Sequence, residues 1–255
     1  MFFRKKKQAQ PMPPKQIRWR TPGGGYSLLA DEVLKSEHTL IAGTTGCGKT
    51  SFVRAVMQAL LVKESPADAK LIIIDPTRFE MSEYAELPHV LKYAQTSREA
   101  LDALRQASGI LEARAQYMSE RHLKRCDMPD VYVIIDELND LMMSECAASI
   151  KREMEHIITL GRALRIHIIA CTQNPNKKTI PTNIVDCYTC RIGMRCLSDI
   201  KSRQIVGISG CEKLPKHGQA ITIINGEINR DVLPYVAEGG IDNLISYWMS
   251  PECIA

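Results

Sequence analysis

Gly43-Thr44-Thr45-Gly46-Cys47-Gly48-Lys49-Thr50 decides how the rest of the chain is read. The octapeptide fits G-x-x-x-x-G-K-S/T, the spacing of a phosphate-binding loop. Its glycines let the backbone curl until consecutive N–H groups face phosphate oxygens, and the helix that follows aims the positive end of its dipole at the same point. In such a loop Lys49 reaches the β- and γ-phosphates of a nucleotide, and the Thr50 hydroxyl sits on Mg²⁺. The flanks have the required order. The apolar run Thr39-Leu40-Ile41-Ala42 reads as a strand, and Phe52, Val56, Ala59 and Leu60 lie on one face of a helix predicted to reach about Val62. The expected nucleotide-binding set is therefore Gly43, Thr44, Thr45, Gly46, Cys47, Gly48, Lys49, Thr50 and Ser51.

Three further apolar runs end in polar residues. Lys70-Leu71-Ile72-Ile73-Ile74 ends at Asp75, and its unbroken hydrophobicity is that of a strand buried on both faces of a parallel sheet. Val131-Tyr132-Val133-Ile134-Ile135 delivers Asp136 and Glu137 to its carboxyl end, where ligands of open α/β sheets bind. Asp136 suits a Mg²⁺ contact, direct or through water, and Glu137 is placed to orient and deprotonate an attacking water. Ile166 to Thr172 ends at Gln173, whose amide can sense a γ-phosphate and bond the same water.

Between these runs the period changes. Leu101, Leu104, Ala107, Leu111, Ala115 and Met118 stripe a helix expected from Ser97 to about Leu123, and another helix is expected from Ser149 to Leu164. A strand over Thr189 to Met194, a hairpin turned at Asn225-Gly226 and a last helix from Ile241 to Met249 complete the reading. The alternation predicts an α/β fold, a mostly parallel sheet with helices on both faces and a C-terminal β-hairpin.

Composition narrows the class. A chain of 255 residues with 45% apolar content supports one large domain. No apolar run nears the roughly 20 residues that span a bilayer, so a cytoplasmic protein is expected. Nine cysteines then read as reduced thiols. Cys187, Cys190, Cys196 and Cys211 lack the second C-x-x-C of a zinc cluster, and their segment reads as strand. The net charge of +4 is modest, but Arg4, Lys5, Lys6, Lys7, Lys15, Arg18 and Arg20 crowd the first twenty positions. Residues 1–25 read as a solvated, disordered basic arm, with contact to nucleic acid or a membrane surface as the alternative, and residues 26–255 as the folded domain.

Taken together the motifs resemble the motor domain of the FtsK/SpoIIIE DNA translocases over roughly residues 26 to 249. Ala42 to Thr50 is close to the family's A-G-T-T-G-S-G-K-S. Ile74-Asp75-Pro76 with Glu80, Ser82, Tyr84, Pro88 and His89 follows I-D-P-K-x-x-E-L-S-x-Y-x-x-I-P-H. Asp136 to Met143 is similar to D-E-F-A-D-L-M-M, Arg162 to His167 to R-A-A-G-I-H, and Thr172 to Pro175 to T-Q-R-P.

The resemblance implies a RecA-like P-loop NTPase. It implies ATP and Mg²⁺ as ligands, and a ring of copies, a hexamer by analogy, that hydrolyses ATP at subunit interfaces and drives double-stranded DNA through its centre. It gives Arg162 the role of an arginine finger reaching into a neighbour's site, alongside Lys49, Glu137 and Gln173 as catalytic residues. Departures fall where DNA would be gripped: Asn174 replaces an Arg, Thr77 replaces a Lys, and S-S-K-I-D-S-R becomes Leu197-Ser198-Asp199-Ile200-Lys201-Ser202-Arg203. Arg203 matches, and Lys177, Lys178, Arg195 and Lys201 are the expected substitute phosphate contacts.

The chain stops soon after its last predicted helix, and the expectation is a bare motor without membrane spans or a winged-helix module. Such a motor would serve DNA transfer, segregation or packaging of a mobile element, with a separate protein recognising or recruiting the DNA. The rival reading is a motor of the same superfamily that moves protein in secretion. A nonhydrolysing scaffold is a third, and the intact Asp136-Glu137 pair speaks against it.

Overall fold

The computed structural model describes residues 28–173, 187–250 and the single positions 185 and 253. The basic arm, Asn174, Lys177 and Lys178 lie outside the described residues. In chain order the elements are α1 (Leu28–Lys35), β1 (His38–Ala42), α2 (Lys49–Lys63), β2 (Ala69–Ile74), β3 (Val90–Ala94), α3 (Ser97–Glu120), β4 (Asp130–Ile135), α4 (Leu138–Met142) and α5 (Ala147–Leu164). There follow β5 (Ile166–Thr172), β6 (Cys190–Gly193), α6 (Asp199–Val206), β7 (Gln219–Ile224), β8 (Glu227–Val232) and α7 (Asp242–Trp248).

The strands form one sheet in the order β3-β2-β4-β5-β1-β6-β7-β8. The pairs from β3 to β6 are parallel, and β7 and β8 close the edge antiparallel. The expected fold class is thus the observed one. The central strands β1, β2, β4 and β5 are largely apolar on successive residues because both faces are covered. Leu71 and Ile73 of β2 enter one core with α1, α2 and α7, whereas Ile72 and Ile74 enter the other with α3, α4 and α5. Trp248 of α7 is buried on the first face and donates Nε1 to the Leu61 carbonyl at 2.9 Å, tying the last helix to the helix after the loop.

Local chemistry sets the element ends. Thr96 and Glu99 form a reciprocal capping box at the start of α3. That helix ends at Glu120, short of the expected Leu123, because the Leu123 amide turns back to the Met118 carbonyl at 2.9 Å with His122 at φ 51°. The hairpin turns at Asn225 (φ 50°) and Gly226 (φ 88°), the two positive φ values of a type I′ turn. Sequence reasoning did not place α1, β3, α4 or α6. Only Ala94 of β3 is buried, since β3 is a sheet edge, so its pattern lacks the apolar run that marks the other parallel strands.

One departure from the family motif is structural. Arg165 stands where R-A-A-G-I-H has Gly, and it caps α5 at φ 57°, ψ 44°. Its guanidinium pairs with Asp130 at 2.5 Å on a partly exposed surface. Relief of the left-handed strain, about 1 kcal/mol, outweighs an exposed ion pair. Arg165→Gly is therefore expected to hold or slightly raise the thermal midpoint, and Arg165→Ala, which loses the pair and keeps the strain, to lower it in the same melting experiment.

Candidate active site at the carboxyl edge of the sheet

Strands β4, β5 and β1 are neighbours, so the residues that follow them meet at one edge. The loop after β1 is fixed on both sides, with the Gly43 amide on the Thr172 carbonyl at 3.2 Å and the Thr44 amide on the Arg195 carbonyl at 2.9 Å. A Cβ on Gly43 would lie 2.7 Å from Cys47 Sγ and 2.8 Å from Met194 Cβ, so no side chain fits there. Gly46 (φ 70°) and Gly48 (φ 104°) take the left-handed turns that curl the loop. Lys49 is buried, and its Nζ donates to the Gly43 carbonyl at 2.8 Å and the Thr44 carbonyl at 3.2 Å. Thr50 lies half-buried in the first turn of α2, with no side-chain partner among the described residues.

Two members of the expected set face elsewhere. The Cys47 thiol is buried against Met194, so this residue offers the loop its backbone only. The Ser51 hydroxyl is engaged by both the carbonyl and the amide of Val236, at 2.9 and 3.0 Å, which docks the C-terminal segment on α2.

Glu137 is 4% exposed and caps α4. Its Oε1 accepts from the Asn139 amide at 3.0 Å and the Gln173 amide at 3.3 Å, while Oε2 is buried with no partner. Burial pushes its carboxyl up, against the two amide bonds and the pull of Lys49. Gln173 completes the link to the loop, because its Oε1 accepts from the Thr45 hydroxyl. Asp136 is buried beside them. Burial first, then the carboxylates of Asp75, Glu80 and Glu137, push it up to about 7, and Lys49 pulls it back. Asp75 is fully committed: it accepts from Thr77 Oγ1, the Arg78 and Met81 amides and Tyr93 Oη, at 2.6 to 3.1 Å. It therefore shapes the turn after β2 rather than offering a free ligand.

These residues fit a nucleotide with a divalent cation. An ammonium resting on carbonyls, a hydroxyl without a partner, a buried carboxylate oxygen without a donor and a second acid crowded by like charge all lack the counter-charge that such a ligand supplies. Asp136 yields a pH prediction. Its folded value of about 7 lies above the ordinary 3.8, so the folded chain keeps a proton the unfolded chain releases. Through this group stability falls as pH rises across that window. Without nucleotide, Asp136→Asn is expected to raise the melting midpoint by about 3–8 °C at pH 8 and by less at pH 5.

Arg162 does not join this edge. It lies in the last turn of α5, 77% exposed, with its Nε 2.6 Å from Glu37 just before β1. The five residues of β1 separate that point from the loop by about 20 Å. Of the expected nucleic-acid contacts, Arg195 follows β6 and donates Nη1 to the Leu214 carbonyl at 2.7 Å, bracing the segment before β7. Lys201 and Arg203 lie on α6, Arg203 facing Asp199 at 3.7 Å. Cys190 is buried in β6, Cys196 and Cys211 join a small apolar cluster with Val206 and Ile221, and Cys187 is exposed. Among the described residues no helix is long and apolar enough to cross a membrane.

The fold is that of RecA-like P-loop ATPases. The conjugation coupling protein TcpA of pCW3, solved as a monomer with ATPγS, superposes with a TM-score of 0.73 at 19% identity over 86% of this chain and 66% of that one. The cytoplasmic domain of the type VII secretion ATPase EccC of Thermomonospora curvata gives 0.71 at 21% identity, over 86% and 29%. The FtsK/SpoIIIE family model matches residues 3–132, half of the chain, and the protein belongs to that family. It is 32% identical over 239 residues to the DNA translocase FtsK of Helicobacter pylori strain J99, and 29% identical over 268 residues to that of Rhizobium meliloti strain 1021. Each match covers 88% of this chain but only 28% and 30% of those relatives' lengths.

Proposed function

We propose that this chain hydrolyses ATP at interfaces between copies and uses the energy to translocate double-stranded DNA. The observation that carries the reading is the junction of Glu137, Gln173 and Thr45, which ties a buried carboxylate with one open oxygen to the tip of the phosphate loop. In this reading Lys49 leaves its carbonyls for the phosphates, and Glu137 Oε2 takes the proton of the attacking water. Gln173 registers the γ-phosphate through Thr45. Thr50 and Asp136 hold Mg²⁺, which when bound neutralises charge on the phosphates. Arg162, too far from its own loop, serves another copy, which makes the working form a ring, hexameric in our reading and cytoplasmic. A separate protein would recruit it to DNA of a mobile element in transfer, segregation or packaging.

DNA is favoured as the substrate because the similar proteins of 28–32% identity are named DNA translocases. Lys177, Lys178, Arg195, Lys201 and Arg203 are the proposed phosphate contacts. Linear duplex DNA is expected to raise ATP turnover several-fold at low salt, with the stimulation fading as salt displaces phosphate contacts. A polypeptide-moving motor is the second reading, and one observation favours it: Arg203, the base that matches the family, faces Asp199 and is partly neutralised. Turnover indifferent to DNA and raised by a polypeptide partner would establish that alternative.

A further inference from the structure

Arg162 is long, exposed and at a helix end, yet it is not left to wander. Its Nε contacts Glu37 Oε1 at 2.6 Å, and Glu37 is the better anchored partner, 26% exposed against 77%. The anchor is the short link between α1 and β1. The Glu37 carbonyl lies 3.1 Å from His167 Nδ1, and the other nitrogen of that ring lies 3.0 Å from Asp130 Oδ1. Tyr132 stacks on the ring with centroids 4.9 Å apart. The next residue, His38, starts β1 and accepts the Ile168 amide on Nδ1 at 3.1 Å. Gly161 lets α5 lie directly on this base, since a Cβ there would fall 2.4 Å from the Ile166 carbonyl oxygen and 3.1 Å from His38 Cε1. The guanidinium is thus paired with a carboxylate whose backbone is tied to the sheet.

The atom that is held matters. An arginine has five N–H donors, and two parallel bonds to a phosphate use its two Nη groups. Glu37 makes its closest approach at Nε. We propose that Glu37 is a positioning residue for Arg162, orienting the guanidinium so that its Nη pair meets the phosphates bound by a second copy. The inference rests on the reading of Arg162 as an intersubunit finger and extends it to the residue that aims it. An exposed pair of this kind contributes little to folding, so its effect belongs in the rate. Misorienting a group at a reacting centre costs on the order of tenfold or more.

The test is steady-state ATP turnover of the full chain with saturating duplex DNA, for Glu37→Ala, Glu37→Asp, Arg162→Ala and the Glu37→Ala/Arg162→Ala double variant, with thermal melts alongside. Glu37→Ala is expected to lower kcat about tenfold with KM for ATP and the melting midpoint nearly unchanged, and Glu37→Asp to recover part of the loss. The double variant should be no slower than Arg162→Ala, because Glu37 acts only through it. Should Glu37→Ala fold poorly, the isosteric Glu37→Gln carries the same comparison. A kcat unchanged or raised in the Glu37 variants, or a double variant slower than Arg162→Ala by the full Glu37→Ala factor, would overturn the inference while leaving the finger in place. Wild-type turnover in Arg162→Ala would overturn the finger and the inference together.

Discussion

Glu137→Gln is expected to bind ATP as the wild type does and to hydrolyse it roughly 10²–10⁴-fold more slowly. The substitution preserves what the carboxylate does for the fold. An amide oxygen in place of Oε1 still accepts from the Asn139 and Gln173 amides, so the α4 cap and the link to the phosphate loop survive. What changes is Oε2, the buried oxygen with no protein partner, which becomes an NH₂ group unable to take a proton. Binding measured by calorimetry with Mg²⁺ present, set beside single-turnover hydrolysis, separates the two effects. Burial raises the carboxyl of Glu137, which makes it a stronger base when ionised and requires that turnover fall as the pH is lowered and the base is protonated. The Gln variant should lose that limb of the pH profile. Hydrolysis within threefold of wild type would place the base elsewhere.

The part of this site visible in the sequence is the part carried by strands buried on both faces. β1, β2, β4 and β5 are rich in Leu, Ile, Val and Ala because both cores must be filled; β2, β4 and β5 each hand a polar residue to the loop that follows, and β1 hands over the glycine of the phosphate loop. Gly43 to Thr50, Asp75, Asp136, Glu137 and Gln173 could be named from that pattern. Their mutual contacts could not, because these depend on strand order: only with β4, β5 and β1 adjacent do Glu137, Gln173 and Thr45 meet. Side-chain commitments were likewise hidden. Nothing local to Asp75 announces four donors waiting in the following turn and on Tyr93, and nothing local to Ser51 announces Val236. Glu37 carries no motif at all. It precedes a strand by one residue and would pass as a solvated acid but for the helix end that comes to lie against it. Arg162 itself reads as a charge near a helix terminus until the family motif is set beside it.

Arg162→Ala carries the other large expectation: turnover lower by about 10³-fold or more, with ATP binding by each chain intact. The argument is one of distance and charge. Phosphoryl transfer spreads negative charge over the equatorial oxygens, and a guanidinium fork placed there in a water-poor interface is worth far more than one in solvent. This chain's own fork lies at the far end of β1, about 20 Å from its phosphate loop, and no rotamer spans that gap. If the finger acts between copies, the defect must be complementable. A Lys49→Ala chain has no working loop but presents an intact Arg162, and an Arg162→Ala chain has the reverse. Neither alone should turn over ATP. Mixed before assembly, they should form interfaces that pair an intact loop with an intact finger, and turnover should return in proportion to the fraction of such interfaces. A finger acting within one chain predicts no recovery at any mixing ratio, so dead parents and a dead mixture would remove Arg162 from the intersubunit role.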